Sequence, residues 1–340
     1  MRTMKEQVLL KNIISLLLIF AIVFCMGELE NSSPRNERSS VYASEDTDDN
    51  IVETDNKEVT KNASSNIYED ENISTDISEN DNLRDAPKSL KILAVGNSLS
   101  FNSLYYVYDI AQSLGIEEVV VGNLYIGSCS LKLHWKNAKY NKRAYKYYKN
   151  TDGEFKETNK VSIKKALNDE EWDYIMLSQY SGHTGIPKTY KSLNKLIKYI
   201  KRYTKEDSEF IWNMLWSYGS NYKANAFARY NYSSKIMYNK IIKTTKKKIN
   251  NNKRISMIIP SGTVIQNLRS TEFAGNLMTD GRHLSDKACY AVGVTLTSKI
   301  LNIDPGNIKV RPKGISKKFR RYTIRSARKS IAKPYKVSIK

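Results

Sequence analysis

From Lys88 onward the sequence predicts an α/β protein with a mostly parallel, five-stranded sheet covered by helices on both faces. Three observations carry this. Short β-branched or apolar runs alternate with stretches of helical period. The short runs are nearly all apolar rather than alternating apolar and polar, as strands buried on both faces must be. The chain has 340 residues, 40% hydrophobic and 26% charged, enough for one large or two small domains and unlike collagen, coiled coils or multi-span membrane proteins.

In chain order, a strand is expected over residues 91–95, where Ile92-Leu93-Ala94-Val95 is continuously apolar, followed by a helix over 103–114. The second strand, 118–124, contains three consecutive valines, and the third, 172–177, contains Tyr174-Ile175-Met176-Leu177. A helix over 190–203 leads to the fourth strand, 209–215, and a Lys-rich helix over 225–250 leads to the fifth, 255–259. A last helix is expected over 285–301, opened by Ser285 as its cap.

In such a sheet ligands bind beyond the carboxyl ends of the strands, so the residues just after each strand matter most. The first strand is followed by Gly96-Asn97-Ser98-Leu99-Ser100. A Gly there permits a sharp bend and leaves the Ser98 hydroxyl at a helix N-terminus, where free N–H groups favour negative charge; a plain helix cap uses the same residues. The second strand runs into Asn123-Leu124-Tyr125-Ile126-Gly127-Ser128-Cys129-Ser130, with Gly127 either an N–H donor or a turn residue. After the third strand, Gln179 offers an amide at the rim or a tie between two loops. Asp280-Gly281-Arg282-His283-Leu284-Ser285 precedes the last helix, and an Asp three residues before a His can accept its ring N–H and fix its tautomer.

Taken together, these stretches resemble the SGNH (GDSL-like) hydrolase superfamily, over about residues 89–301. The similarity is greatest to a branch with Gly-Asn-Ser in place of Gly-Asp-Ser, and it is carried by residues 92–98, 123–135, 172–179, 259–269 and 280–285. The resemblance implies a flavodoxin-like three-layer α/β/α sandwich and a serine esterase. It implies Ser98 as nucleophile, His283 as general base and Asp280 as the group that orients it. The backbone N–H groups of Ser98 and Gly127 would form an oxyanion hole, with Gln179 standing where the family puts an Asn as third donor. Asn97 replaces the usual Asp, losing a charge and keeping hydrogen-bonding capacity. The implied substrate is a small acyl ester, O-acetyl above all, on carbohydrate or cell-wall glycan. The alternative is a non-catalytic surface protein that binds polyanions and keeps only the fold.

His134, Trp135 and Trp216 also follow strand ends and are expected to line the substrate pocket together with Asn97, or else to serve as core packing. No His-x₃-His or His-Glu-x-x-His spacing supports a metal site, and ester hydrolysis by a serine needs no cofactor. Cys129 and Cys289 are expected as two buried free thiols.

The net charge of +20 hides three unlike regions. Residues 1–27 place Arg2, Lys5 and Lys11 before an apolar run that ends at Gly27, the pattern of a signal peptide or an N-terminal anchor, so the protein is expected outside the cell or at its surface. Residues 28–87 carry 5 basic against 17 acidic side chains and few aromatics, the composition of a disordered acidic linker. Residues 88–340 carry 47 basic against 17 acidic, a net +30. The hydrolase-like domain is expected over 88–305, followed by a basic tail over 306–340 with twelve Lys and Arg and no acid from Arg311 onward. That tail suits an anionic cell-wall polymer or lipid headgroups rather than nucleic acid, which exported proteins rarely meet.

Overall fold

β1 (Ser89–Gly96) is the strand around which the rest assembles, and its Ile92, Leu93, Ala94 and Val95 are fully buried. In the computed structural model, which describes residues 87–339, β1 pairs in parallel with β2 (Glu118–Tyr125) and with β5 (Tyr174–Leu177). β6 (Glu209–Asn213) and β7 (Met257–Ile259) extend the parallel part beyond β5. On the far side of β2, β3 (Tyr145–Asn150) and β4 (Phe155–Val161) add an antiparallel hairpin. The order is β4-β3-β2-β1-β5-β6-β7. The sheet therefore has seven strands, not five. The five parallel strands fall at the apolar runs, and the hairpin leaves no such mark in the sequence because β4 is a hydrophilic edge strand, FKETNKV, almost wholly exposed. Lysines on an edge strand discourage pairing with other chains.

The period of two along each strand divides the side chains between two apolar layers. Leu93, Val95, Leu124 and Leu177 pack with α3 (Leu131–Lys139), α4 (Ile163–Leu167) and α5 (Leu193–Ile200). Ile92, Ala94, Val121 and Met176 pack with α1 (Ser98–Leu104), α2 (Val107–Ser113) and α9 (Asp286–Leu301). A one-residue slip of β1 would exchange the two sets, so burial on both faces fixes the register that aligns the strand ends. The predicted 225–250 helix is two, α6 (Asn225–Ala228) and α7 (Ser234–Lys248), separated by Asn231 and Tyr232, both at positive φ.

Residues 306–339 do not form a tail outside the domain. α10 (Lys317–Ala332) lies on α9 and on α8 (Ser261–Arg269), burying Phe319, Thr323, Ala327 and Ser330. The chain end is tied down as well, since Asn267 Oδ1 accepts the Ser338 N–H at 2.7 Å. Polar residues outnumber apolar ones on this helix, which is why its buried stripe is hard to see in the sequence. The expected signal or anchor at 1–27 and the acidic linker up to residue 86 lie outside the described residues. No helix among the described residues is long and apolar enough to cross a membrane.

Candidate active site

The strand ends lie side by side. Val95 is in register with Leu124 on β2 and with Leu177 on β5, so the chain after each of these strands emerges on one rim. At the end of β1, Gly96 must be a glycine: a Cβ there would lie 2.0 Å from Ser100 Oγ. Asn97 caps α1, its Oδ1 accepting the Leu99 N–H at 3.0 Å, while Ser100 Oγ accepts the Asn97 N–H at 2.8 Å. Ser98 is therefore the first residue of the helix, with its hydroxyl directed past the sheet.

Opposite stands the loop before α9. Asp280 bends the chain back by accepting the Arg282 and His283 backbone N–H groups on Oδ1, at 2.8 and 2.7 Å. Gly281, at φ +83°, makes the bend possible in the left-handed region. Asp280 Oδ2 stands 2.6 Å from His283 Nδ1, and His283 Nε2 stands 2.8 Å from Ser98 Oγ, across 185 residues of chain. The loop is fixed from behind as well. Leu284 N–H donates to Asn102 Oδ1 of α1 at 3.1 Å, Trp216 Nε1 donates to the Arg282 carbonyl at 2.8 Å, and Gly219 N–H donates to the Gly281 carbonyl at 2.6 Å.

The electrostatics suit proton transfer. Burial pushes the His283 pKa down, and the nearby Arg282 charge pushes the same way; the hydrogen bond the ring donates to Asp280, with that carboxylate's charge, opposes both without cancelling them. The ring is thus neutral near pH 7. Partial burial of Asp280 by itself would raise its pKa, but the hydrogen bonds from the His283 ring, the His283 N–H and the Arg282 N–H hold it far below the usual carboxylate range. With Asp280 ionised, the Nδ1 proton is held toward the carboxylate and the Nε2 lone pair faces the serine hydroxyl. A hydroxyl, a neutral imidazole and an anchored carboxylate in this sequence can carry out nucleophilic acyl transfer.

Of the other expected site residues, several are occupied elsewhere. Gln179, placed as a third oxyanion donor, is fully buried and its amide is fully used: Nε2 donates to the Thr189 carbonyl and hydroxyl at 3.1 and 3.0 Å, and Oε1 accepts Leu131 N–H and Tyr180 N–H. It ties the loops beyond β2 and β5 together. His134, expected in the pocket, is wholly buried, stacked on Tyr145, its Nδ1 3.0 Å from the Tyr145 hydroxyl and 3.5 Å from Cys129 Sγ. Burial pushes its pKa down to about 3. Trp135 is half-buried against the same core. Trp216 is buried beneath the His283 loop, and Asn97 spends its amide on the Leu99 N–H and the Cys129 carbonyl. Gly127 lies in the turn after β2, two residues past Tyr125, which pairs with Gly96. Cys129 and Cys289 are buried thiols. No group of His, Cys, Asp and Glu among the described residues is arranged to hold a metal ion.

Sequence reading missed the supporting residues. Arg269, partly buried, holds Ser217 by its hydroxyl (2.6 Å) and its carbonyl (2.8 Å) and so shapes the segment after β6. Arg282 extends over the ring of Tyr222, 5.9 Å from its centroid, and its charge is felt at His283, Tyr125 and Tyr218. The only sequence signal for Arg282 was its place beside His283.

A family profile described as a domain of unknown function (DUF4886) matches residues 91–330. The crystal structure of a DUF4886 family protein from Bacteroides uniformis is 34% identical, with a TM-score of 0.71 over 74% of this chain and 97% of that one. A provisionally assigned SGNH hydrolase from Slackia heliotrinireducens is 18% identical, with a TM-score of 0.43 over 62% of this chain and 98% of that one. Likeness of that second size says nothing about activity. No curated protein matches the chain.

Proposed function

The chain belongs to the DUF4886 family, and from the geometry of its rim we propose that it is a serine esterase of SGNH type. Its substrates in this reading are small acyl esters, O-acetyl above all, on carbohydrate or cell-wall glycan, and the N-terminal pattern makes it an exported or surface enzyme. One observation carries the reading: Ser98 Oγ lies 2.8 Å from the Nε2 of a histidine whose other nitrogen is bound by a carboxylate. The strand order β2-β1-β5-β6-β7, with helices on both faces, supports the flavodoxin-like sandwich that goes with it.

In this reading His283 takes the Ser98 proton as Oγ attacks the ester carbonyl carbon, and Asp280 stabilises the imidazolium without itself being protonated. The carbonyl oxygen becomes an oxyanion that the backbone N–H groups of Ser98 and Gly127 receive, each worth about 3 kcal/mol in activation free energy. His283 then protonates the leaving alcohol oxygen as the tetrahedral intermediate collapses to an acyl-Ser98 ester and free alcohol. Water, deprotonated by the same ring, attacks that ester and releases the carboxylic acid and the serine hydroxyl. With Gln179 committed to Thr189, the oxyanion has no side-chain donor from that position.

The test is covalent. A fluorophosphonate probe should modify the protein at Ser98, and Ser98→Ala should lose both labelling and acetate release from acetylated xylan, chitin-like glycan or peptidoglycan while melting as wild type does. A Ser98→Ala variant with wild-type turnover refutes the assignment. A wild-type Ser98 that does not react favours the non-catalytic surface protein.

A further inference from the structure

The segment 309–321 forms a cationic groove that ester hydrolysis does not use. It is a cavity of about 530 Å³ lined only by Lys309, Arg311, Lys317, Arg320 and Arg321. Two other cations of α10 are held by carboxylates. Lys318 is paired with Glu272 at 2.7 Å, and Arg328 grips Asp304 through two nitrogens at 2.7 Å each. None of the five lining residues has a carboxylate within ion-pair distance among the described residues. Two of them are fixed by the backbone instead: Arg320 donates to the Ile308 carbonyl and Arg311 to the Ile315 carbonyl. Lys317 is the first residue of α10, a 16-residue helix capped by Ser316, so the positive end of its dipole adds to the five charges.

Like charges gathered around a cavity repel one another and persist where an anion offsets them. We infer that this groove binds a linear polyol-phosphate chain, a wall polymer whose phosphodiesters repeat at short intervals. The lining itself selects this partner. A nucleic-acid strand is held by aromatic side chains that stack on its bases, and no aromatic residue lines the groove. A bilayer is entered by exposed apolar side chains beside the cations, and the large hydrophobics exposed among the described residues, Leu133, Tyr140, Tyr232 and Ile236, all lie outside residues 309–321. The inference is independent of the esterase reading. The groove nevertheless adjoins the element that carries the histidine loop, because the Tyr290 hydroxyl, in the second turn of α9, donates to the Val310 carbonyl at 2.9 Å, between Lys309 and Arg311.

The experiment titrates the full chain with poly(glycerol phosphate). Five phosphate contacts predict an affinity loss of about a hundredfold from about 50 to about 200 mM salt. Lys309, Lys317 and Arg321 are exposed and make no hydrogen bond or ion pair that the fold needs, so the triple variant Lys309→Glu, Lys317→Glu, Arg321→Glu should melt as wild type does. It should bind at least about tenfold more weakly at low salt and lose only about sevenfold over the same salt range. A control with the same net charge, Lys243→Glu, Lys247→Glu, Lys248→Glu on the exposed face of α7, should bind within about twofold of wild type. Equal weakening of both variants overturns the site in favour of net charge alone. Equally tight binding of an oligothymidylate strand, weakened by the same triple variant, overturns it in favour of nucleic acid. Capture by phosphatidylglycerol vesicles without binding of the free polymer overturns it in favour of a membrane.

Discussion

Replacing Asp280 by Asn separates the electrostatic part of the proposed triad from its geometry. Asp280 Oδ1 accepts two backbone N–H groups, at 2.8 and 2.7 Å, while Oδ2 faces His283 Nδ1 at 2.6 Å. In Asp280→Asn the amide oxygen stays with the two backbone donors, because turning it away would set an NH₂ against them. The amide nitrogen then faces Nδ1, which must accept, and the ring proton moves to Nε2. That proton points at Ser98, so the ring donates to the hydroxyl and can no longer remove its proton. Recovering the productive tautomer costs the two backbone bonds and a donor–donor contact, roughly 4 kcal/mol together. At about 1.4 kcal/mol per decade this lowers kcat by about a thousandfold, with little change in KM. Asp280 is 47% exposed, so a water can relieve part of that cost and the fold loses only about 1 kcal/mol. Aryl acetate turnover across pH, with a thermal melt of each variant, makes the measurement. Wild-type kcat/KM should hold its plateau at neutral pH and fall only below pH 6.5, because burial places the His283 pKa beneath its ordinary value of 6.5. The residual activity of Asp280→Asn should hold to still lower pH, since the carboxylate that raises the His283 pKa has gone. Turnover within about tenfold of wild type in a folded Asp280→Asn variant would show that the Asp280 contact shapes the loop and nothing more.

Two further outcomes follow from burial. Gly96→Ala brings a methyl within 2.0 Å of Ser100 Oγ, so Ser100 must leave its bonds to Asn97 and Asn123; urea unfolding should show a loss of about 1–3 kcal/mol, and turnover should fall with it as Ser98 shifts. His134 is neutral in the folded state down to about pH 3 but takes up a proton near pH 6.5 when unfolded, so stability holds above that value and declines as pH falls from about 6.5 toward about 3, by up to about 1.4 kcal/mol per unit. His134→Gln should flatten that slope in unfolding titrations; an unchanged slope would assign the acid sensitivity to other groups.

The features legible in the sequence were those that simple periodicity or chain spacing records. All-apolar runs announced the five parallel strands, and Asp280-x-x-His283 announced a local hydrogen bond that needs only three residues of chain. The β3–β4 hairpin was also written there, in Asp152-Gly153 between two strands with Gly153 at φ +103°, but the lysines of an exposed edge masked its alternation. α10 was hidden for the opposite reason, its buried stripe being built of Ser, Thr and Ala between arginines.

The pocket residues failed on a more general ground. Gln179, His134, Trp216 and Asn97 all stand beyond strand ends, as a ligand-binding residue should, yet each commits at least one polar atom to the protein: to Thr189, Tyr145, the Arg282 carbonyl and the Leu99 N–H. Loops that converge on one rim bury their own backbone groups, and these need partners before any substrate does. A polar residue at a strand end is therefore claimed first by the neighbouring loop, and sequence position alone cannot separate that use from catalysis. Ser98 and His283 differ in what their contact joins. Their hydrogen bond links a hydroxyl to a neutral titratable ring whose other nitrogen is bound by an ionised carboxylate, the order of groups that the proposed acyl transfer requires.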